Sequence, residues 1–74
     1  MLHGSREAVV RKVQPISVHG QISLDVQFVY ADDVDERVHV ARIGPEATPR
    51  GLEAGDRVVL DFVMGVVTNV RRVP

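Results

Sequence analysis

The chain has no cysteine and no tryptophan, and its only aromatic residues are two phenylalanines and one tyrosine. Without cysteine there is no disulfide and no cysteine-ligated zinc, two of the staples on which domains of this size lean. The same absence fits a cytoplasmic location, where thiols stay reduced and disulfides are rare. There is also no large excess of one charge: nine Lys and Arg stand against ten Asp and Glu, a formal net charge of −1. Proteins that bind nucleic acid non-specifically draw most of their affinity from neutralising phosphates and are strongly basic. Binding of that kind would therefore need a local basic patch here. No stretch approaches the ~18 apolar residues of a membrane span, and the opening "MLHGSREAVVRKV" lacks the apolar run of a signal peptide. We expect no membrane partner and no export signal.

What is present, in 74 residues, is one domain's worth of short β-branched segments. A domain of this length hides only about 60% of its unfolded surface, so good packing or self-association must supply the rest of its stability. Residues 1–6 read as a flexible start, and residues 7–74 as a single domain. "EAVVRKV" at 7–13 is a first strand, which continues with a bend through "QPISVHG". "QISLDVQFVY" at 21–30 has Ile22, Leu24, Val26, Phe28 and Tyr30 at every second place, with Ser23, Asp25 and Gln27 between them, and reads as a half-buried strand with the even positions inside. "ADDVDE" turns the chain, because short acidic side chains bond nearby backbone. "RVHVARI" at 37–43 returns antiparallel, with Val38 and Val40 expected inside and Arg37, His39 and Ala41 outside. The stretch 44–55, "GPEATPRGLEAG", has room for at most one helical turn, and its Leu52 is expected to plug one end of the core. The last two strands meet at Gly65, with Val58, Leu60, Phe62, Val66 and Val70 expected inside.

The expected fold is therefore all-β: a small five-stranded antiparallel barrel of the oligonucleotide/oligosaccharide-binding (OB) type, with an SH3-like barrel as the alternative layout. Closure of that kind removes exposed edges. The frame "VV…LDVQF…D…VHVARIG…GLEAGDRVVLDF…GVVTNV" resembles the small OB barrels of the bacterial translation initiation factor one type. Those share the order of strand, hairpin, short irregular linker, a Gly-Asp that leads into a valine-rich strand, and a final strand after glycine. The resemblance implies an OB barrel that binds RNA. This chain has fewer basic residues and fewer aromatics than those factors.

No motif for catalysis emerges. His3, His19 and His39 have no metal-ligand spacing. Asp32, Asp33, Asp35 and Glu36 lack the glycine and the length of a calcium loop. The serines lack a nucleophile setting, and no glycine run forms a phosphate loop. We expect no enzyme activity, no metal and no small-molecule cofactor. Two binding readings remain. In one, Val59, Val63 and Val67 point away from the core and form an apolar face through which the last hairpin self-associates, giving a homodimer, or docks a protein partner. In the other, Arg37, His39, Arg42, Arg71, Arg72 and Tyr30 form a patch for single-stranded nucleic acid, with Arg42 brought beside Arg71 and Arg72 at the ends of parallel strands.

Overall fold

The structure, a computed structural model, describes residues 3–74. Five strands follow one another: β1 (His3–Val18), β2 (Gln21–Tyr30), β3 (His39–Ile43), β4 (Arg57–Val63) and β5 (Val66–Arg72). A single 3-10 turn at Pro45–Ala47 lies in the 44–55 linker. Pro45 opens it, where the missing N–H is one that would have no partner in any case.

The start of the domain is earlier than the sequence suggests. Residues 3–6, expected as a flexible start, belong to β1 and pair with β4, His3 opposite Val63 and Arg6 opposite Leu60. Met1 and Leu2 lie outside the described residues. Backbone pairing overrides the polar look of "HGSR" because β4 offers a complete strand edge beside it.

Two tight hairpins fix the register. His19–Gly20 joins β1 to β2, and Met64–Gly65 joins β4 to β5. In both loops the two residues have positive φ (51° and 77°, 52° and 80°). Positive φ at both centres marks the type I′ turn, whose twist matches that of the strands it joins. Glycine takes that conformation without steric cost; His19 and Met64 do not.

All neighbouring strands are antiparallel, in the order β3-β2-β1-β4-β5. The edge strands β3 and β5 consequently run in the same direction. They approach each other, so the sheet curls, but no ladder joins them among the described residues. The sheet is open, and its hydrogen bonds do not form the closed barrel expected from the sequence.

Two β-bulges decide which side chains face the concave side. In β1, Arg11 is an extra residue between the pairs Val10–Phe28 and Lys12–Gln27. Since strand side chains alternate, one extra residue reverses the pattern beyond it. Ala8 and Val10 face inward before the bulge, and Val13 after it. In β5, Thr68 is the extra residue between the pairs Asp61–Asn69 and Phe62–Val67, and its hydroxyl donates to the Asp61 carbonyl at 3.3 Å. Val70 and Val67 therefore both pack on the core. This corrects the expectation for Val67, which does not point away from the domain. Val66, expected inside, is 63% exposed, and it is Val66 and not Val67 that lies opposite Val63.

The faces of β3 are also the reverse of those expected. Its register sets His39 opposite Phe28, Ala41 opposite Val26 and Ile43 opposite Leu24. Ile43 is buried and Ala41 packs on the core, whereas Val38 and Val40 are 57% and 60% exposed. The core proper consists of Ala8, Val10, Val26, Phe28, Ile43, Val58, Leu60 and Val70, with Leu52 and Phe62 among the residues packed against it. Val29 is buried as well, outside that cluster, so the convex face is covered by the domain itself at that point. No helix among the described residues is long and apolar enough to cross a membrane.

Candidate functional site

The inward alternation of β2 places Phe28 and Tyr30 side by side at one end of the concave face, ring centroids 5.2 Å apart and edge to face. The β2–β3 register adds His39, which stacks on Phe28 at 5.6 Å with 21° between the planes. His39 also lies 4.8 Å from the Tyr30 ring. Phe62 of β4 comes within 6.4 Å of Tyr30 from the other side. Opposite Phe62 on β1 is Gly4, where a Cβ would meet nothing within 4 Å. The missing side chain leaves space over the aromatic cluster.

Arg6 completes the group. It shares the inward face of β1 with Ala8 and Val10 but lies beyond the core, and its guanidinium carbon sits 3.5 Å from the centre of the Tyr30 ring. Its Nη2 donates to Asp32 Oδ1 at 3.1 Å. A hollow of about 340 Å³ is lined by Arg6, Tyr30, Asp32, Asp33, Arg37 and His39. It continues past Tyr30 toward Gly4, Phe62 and Gly65 on one side, and toward Ala41, Val66 and Val67 at the seam between β3 and β5 on the other. The three adjoining hollows share Tyr30 and together form a cleft lined by aromatic side chains, with mixed charge at its rim.

The turn between β2 and β3 builds that rim. Asp33 accepts the backbone N–H groups of Asp35 at 3.0 Å and Arg37 at 3.2 Å. These bonds hold its carboxyl below the usual carboxylate range. Arg37 leans back toward Asp33 and Asp35, 3.7 Å from each, and Arg11 reaches Glu36 at 2.5 Å. The acidic run is therefore a set of partners for arginines on β1 and in the turn itself.

Of the six residues expected to bind nucleic acid, the structure gathers Tyr30, His39 and Arg37 around the cleft. Arg42 borders its seam end, but its guanidinium holds Asp25 across the β2–β3 pair, at 2.9 and 3.3 Å. That bond lowers the Asp25 pKa and raises that of Arg42. Arg71 is turned to the convex face of β4, where its Nε and Nη2 donate to Asp61 at 2.8 and 2.9 Å. Ser5 and Asn69 donate to the same carboxylate at 2.7 and 3.1 Å. Arg71 first, then Ser5 and Asn69, hold the Asp61 carboxyl far below the usual range. Arg72 donates to the Arg50 carbonyl at 2.7 Å and lies 3.5 Å from Asp56. The expected cluster of Arg42, Arg71 and Arg72 does not form: Asp25 lies on β2 and Asp61 on β4, with β1 between them in the sheet.

The valine face fares in a similar way. Val67 lines the cleft. Val59 lies on the convex side opposite Glu7 and Arg71, in a surface that also carries the Glu7–Arg57 ion pair. Val63, half-buried, sits beside His3 and Val66. The three valines therefore do not make one apolar patch.

Arg6 and Phe62 were missed as site residues, the first because it lay in the discarded start, the second because it was assigned wholly to the core. The signal for Arg6 was available: Arg6, Ala8 and Val10 keep one alternation. No group of three or more His, Asp or Glu side chains among the described residues is placed to hold a metal ion. Compared with protein families, with curated proteins and with solved structures, the chain has no significant match.

Proposed function

We propose that the protein is a small, non-enzymatic binding module that takes a single strand of nucleic acid in the Tyr30–His39–Phe62 cleft. The observation that carries this is the aromatic cluster itself: three partly exposed rings at the mouth of the concave face, with arginine beside them. Single-strand binders combine such rings, on which bases stack, with cations that follow the backbone. The strand order, with the edge strands β3 and β5 running in the same direction and approaching each other without pairing, supports reading the sheet as a partly open OB-type barrel, the fold implied by the resemblance to initiation factor one type proteins. A cytoplasmic location belongs to the same proposal.

The test is fluorescence polarisation of labelled single-stranded oligonucleotides at low salt. Stacking is worth ~1–3 kcal/mol per base, so Tyr30→Ala should weaken binding about ten-fold or more, and His39→Ala, at an exposed position, in the same direction. Arg71→Ala should leave affinity unchanged, because Arg71 serves Asp61 on the convex face. No polarisation change at low salt, or equal binding by wild type and Tyr30→Ala, rules the reading out.

A second reading is favoured by the exposure of Val40 on β3, of Val38 just before it, and of Val66 on β5, the two open edges. Open strand edges pair readily with another chain. A second copy is the occupant that fits, since a net charge of −1 leaves little repulsion between copies. Sedimentation equilibrium should then show a dimer weakened by Val40→Lys. A monomer at every concentration would dismiss it.

A further inference from the structure

Arg6 occupies the position that a stacked base needs. Its guanidinium covers one face of Tyr30 at 3.5 Å, while Phe28, His39 and Phe62 surround the rest of the ring. A guanidinium on an aromatic face is held by the ring quadrupole, modestly at an exposed site. Here Asp32 adds a second anchor, at 3.1 Å from Arg6 Nη2. The Asp32 side chain is itself 79% exposed, so no burial keeps a competing anion away from Arg6. Both partners line the same hollow.

From this arrangement, which rests on the cleft being a nucleic-acid site, we infer that Arg6 and Asp32 form a latch over the Tyr30 ring. Closed, the latch covers the stacking surface with the protein's own cation and neutralises it with the protein's own carboxylate. A nucleic-acid phosphate opens it by replacing Asp32 as the partner of Arg6. The guanidinium then follows the phosphate, and the ring face receives the base. One residue pair thus sets both whether Arg6 can meet a phosphate and whether the main stacking surface is available. Asp32 is the built-in competitor, and ligand affinity is held down by the strength of that one ion pair.

The latch is tested by measuring binding of a fluorescein-labelled oligothymidylate to Asp32→Asn and Glu53→Gln at low salt. Both changes remove one negative charge; Glu53 is exposed and does not line the cleft. Asp32→Asn should bind about five-fold more tightly, the worth of a released exposed ion pair, and Glu53→Gln should differ from wild type by less than about two-fold. In an Arg6→Ala background the gain from Asp32→Asn should vanish. Equal gains from Asp32→Asn and Glu53→Gln, or a gain that survives Arg6→Ala, would overturn the latch and leave the nucleic-acid reading standing. Failure of wild type and all variants to bind would remove that reading and the latch with it.

Discussion

The bulge at Thr68 makes a demanding prediction about two adjacent valines. Simple alternation from Val70 would put Val66 inside and Val67 outside. The structure puts Val67 against Phe62 and the core and leaves Val66 63% exposed. Full burial of a valine is worth ~1.5 kcal/mol or more. Val67 is half-buried, so replacing it by lysine forfeits about 1 kcal/mol of apolar contact. The lysine stem can lie along the cleft, but the ammonium must reach water, and the constraint on that long chain adds roughly another 1 kcal/mol. A loss of about 2 kcal/mol is a large part of the ~3–5 kcal/mol that a core this small supplies. With a urea slope near 1 kcal/mol per molar for so short a chain, the unfolding midpoint of Val67→Lys should fall by about 2 M. Val66→Lys should remain within about 0.5 kcal/mol of wild type, as surface changes do. Urea titrations followed by far-ultraviolet circular dichroism, on dilute protein, measure both. Equal losses, or a larger loss at Val66, would mean that β5 runs without the bulge and that the seam of the cleft is built differently.

Other consequences can be checked in the same format. The carboxyls of Asp25, Asp33 and Asp61 are held down by Arg42, by backbone N–H groups and by Arg71 respectively. As pH falls, the unfolded chain binds protons first at such groups, near its ordinary carboxylate value of about 4. Stability should be full above about pH 5 and decline below it, and Asp61→Asn should flatten that acid limb; an equally steep limb would show that Asp61 carries none of the effect. Met64 occupies the first centre of a type I′ turn at φ 52°, a place that favours Asn before Gly. Met64→Asn should raise stability by roughly 0.5 kcal/mol, and a loss would contradict the turn assignment.

The strands were legible in the sequence where one face wins clearly. β2 alternates from Ile22 to Phe28, and Val26 and Phe28 are buried as that pattern requires; the expectation fails at the ends, where Ile22, expected inside, is 54% exposed beside the β1–β2 turn and Val29, on the opposite face, is buried. The hairpin at Gly65 and the single turn after Gly44 followed from residues whose backbone preferences are strong. Bulges were not legible. An extra Arg11 or Thr68 leaves composition and local propensity unchanged, and only the partner strand shows that one residue has no opposite number. β3 failed for another reason. Its two alternations offer Val38 and Val40 against His39, Ala41 and Ile43, and valine count favours the wrong set. What decides is tertiary: Ile43 has Leu24 opposite it, and His39 has the Phe28 ring to stack on.

The site was half legible for a reason that bears on how basic residues are read in a nearly neutral chain. A sequence shows where arginines are but not which carboxylate each one meets, and that is set by register across strands. Arg42 and Arg71 looked available until pairing set Asp25 opposite the one and brought Asp61 to the other. The useful distinction is then between carboxylates that a ligand can displace and those that it cannot. Asp25 and Asp61 are 25% and 27% exposed, and Asp61 has three side-chain donors. A phosphate would have to break that set and leave a partly buried carboxylate without partners, which costs more than an exposed contact returns. Asp32 is 79% exposed and has Arg6 as its side-chain partner. Releasing it into water costs little, since exposed ion pairs are worth ~0.2–1 kcal/mol. Among the candidate cations, then, it is the partner's exposure, not the arginine's position, that separates Arg6 from Arg71, and it places an exchangeable ion pair directly over the Tyr30 ring.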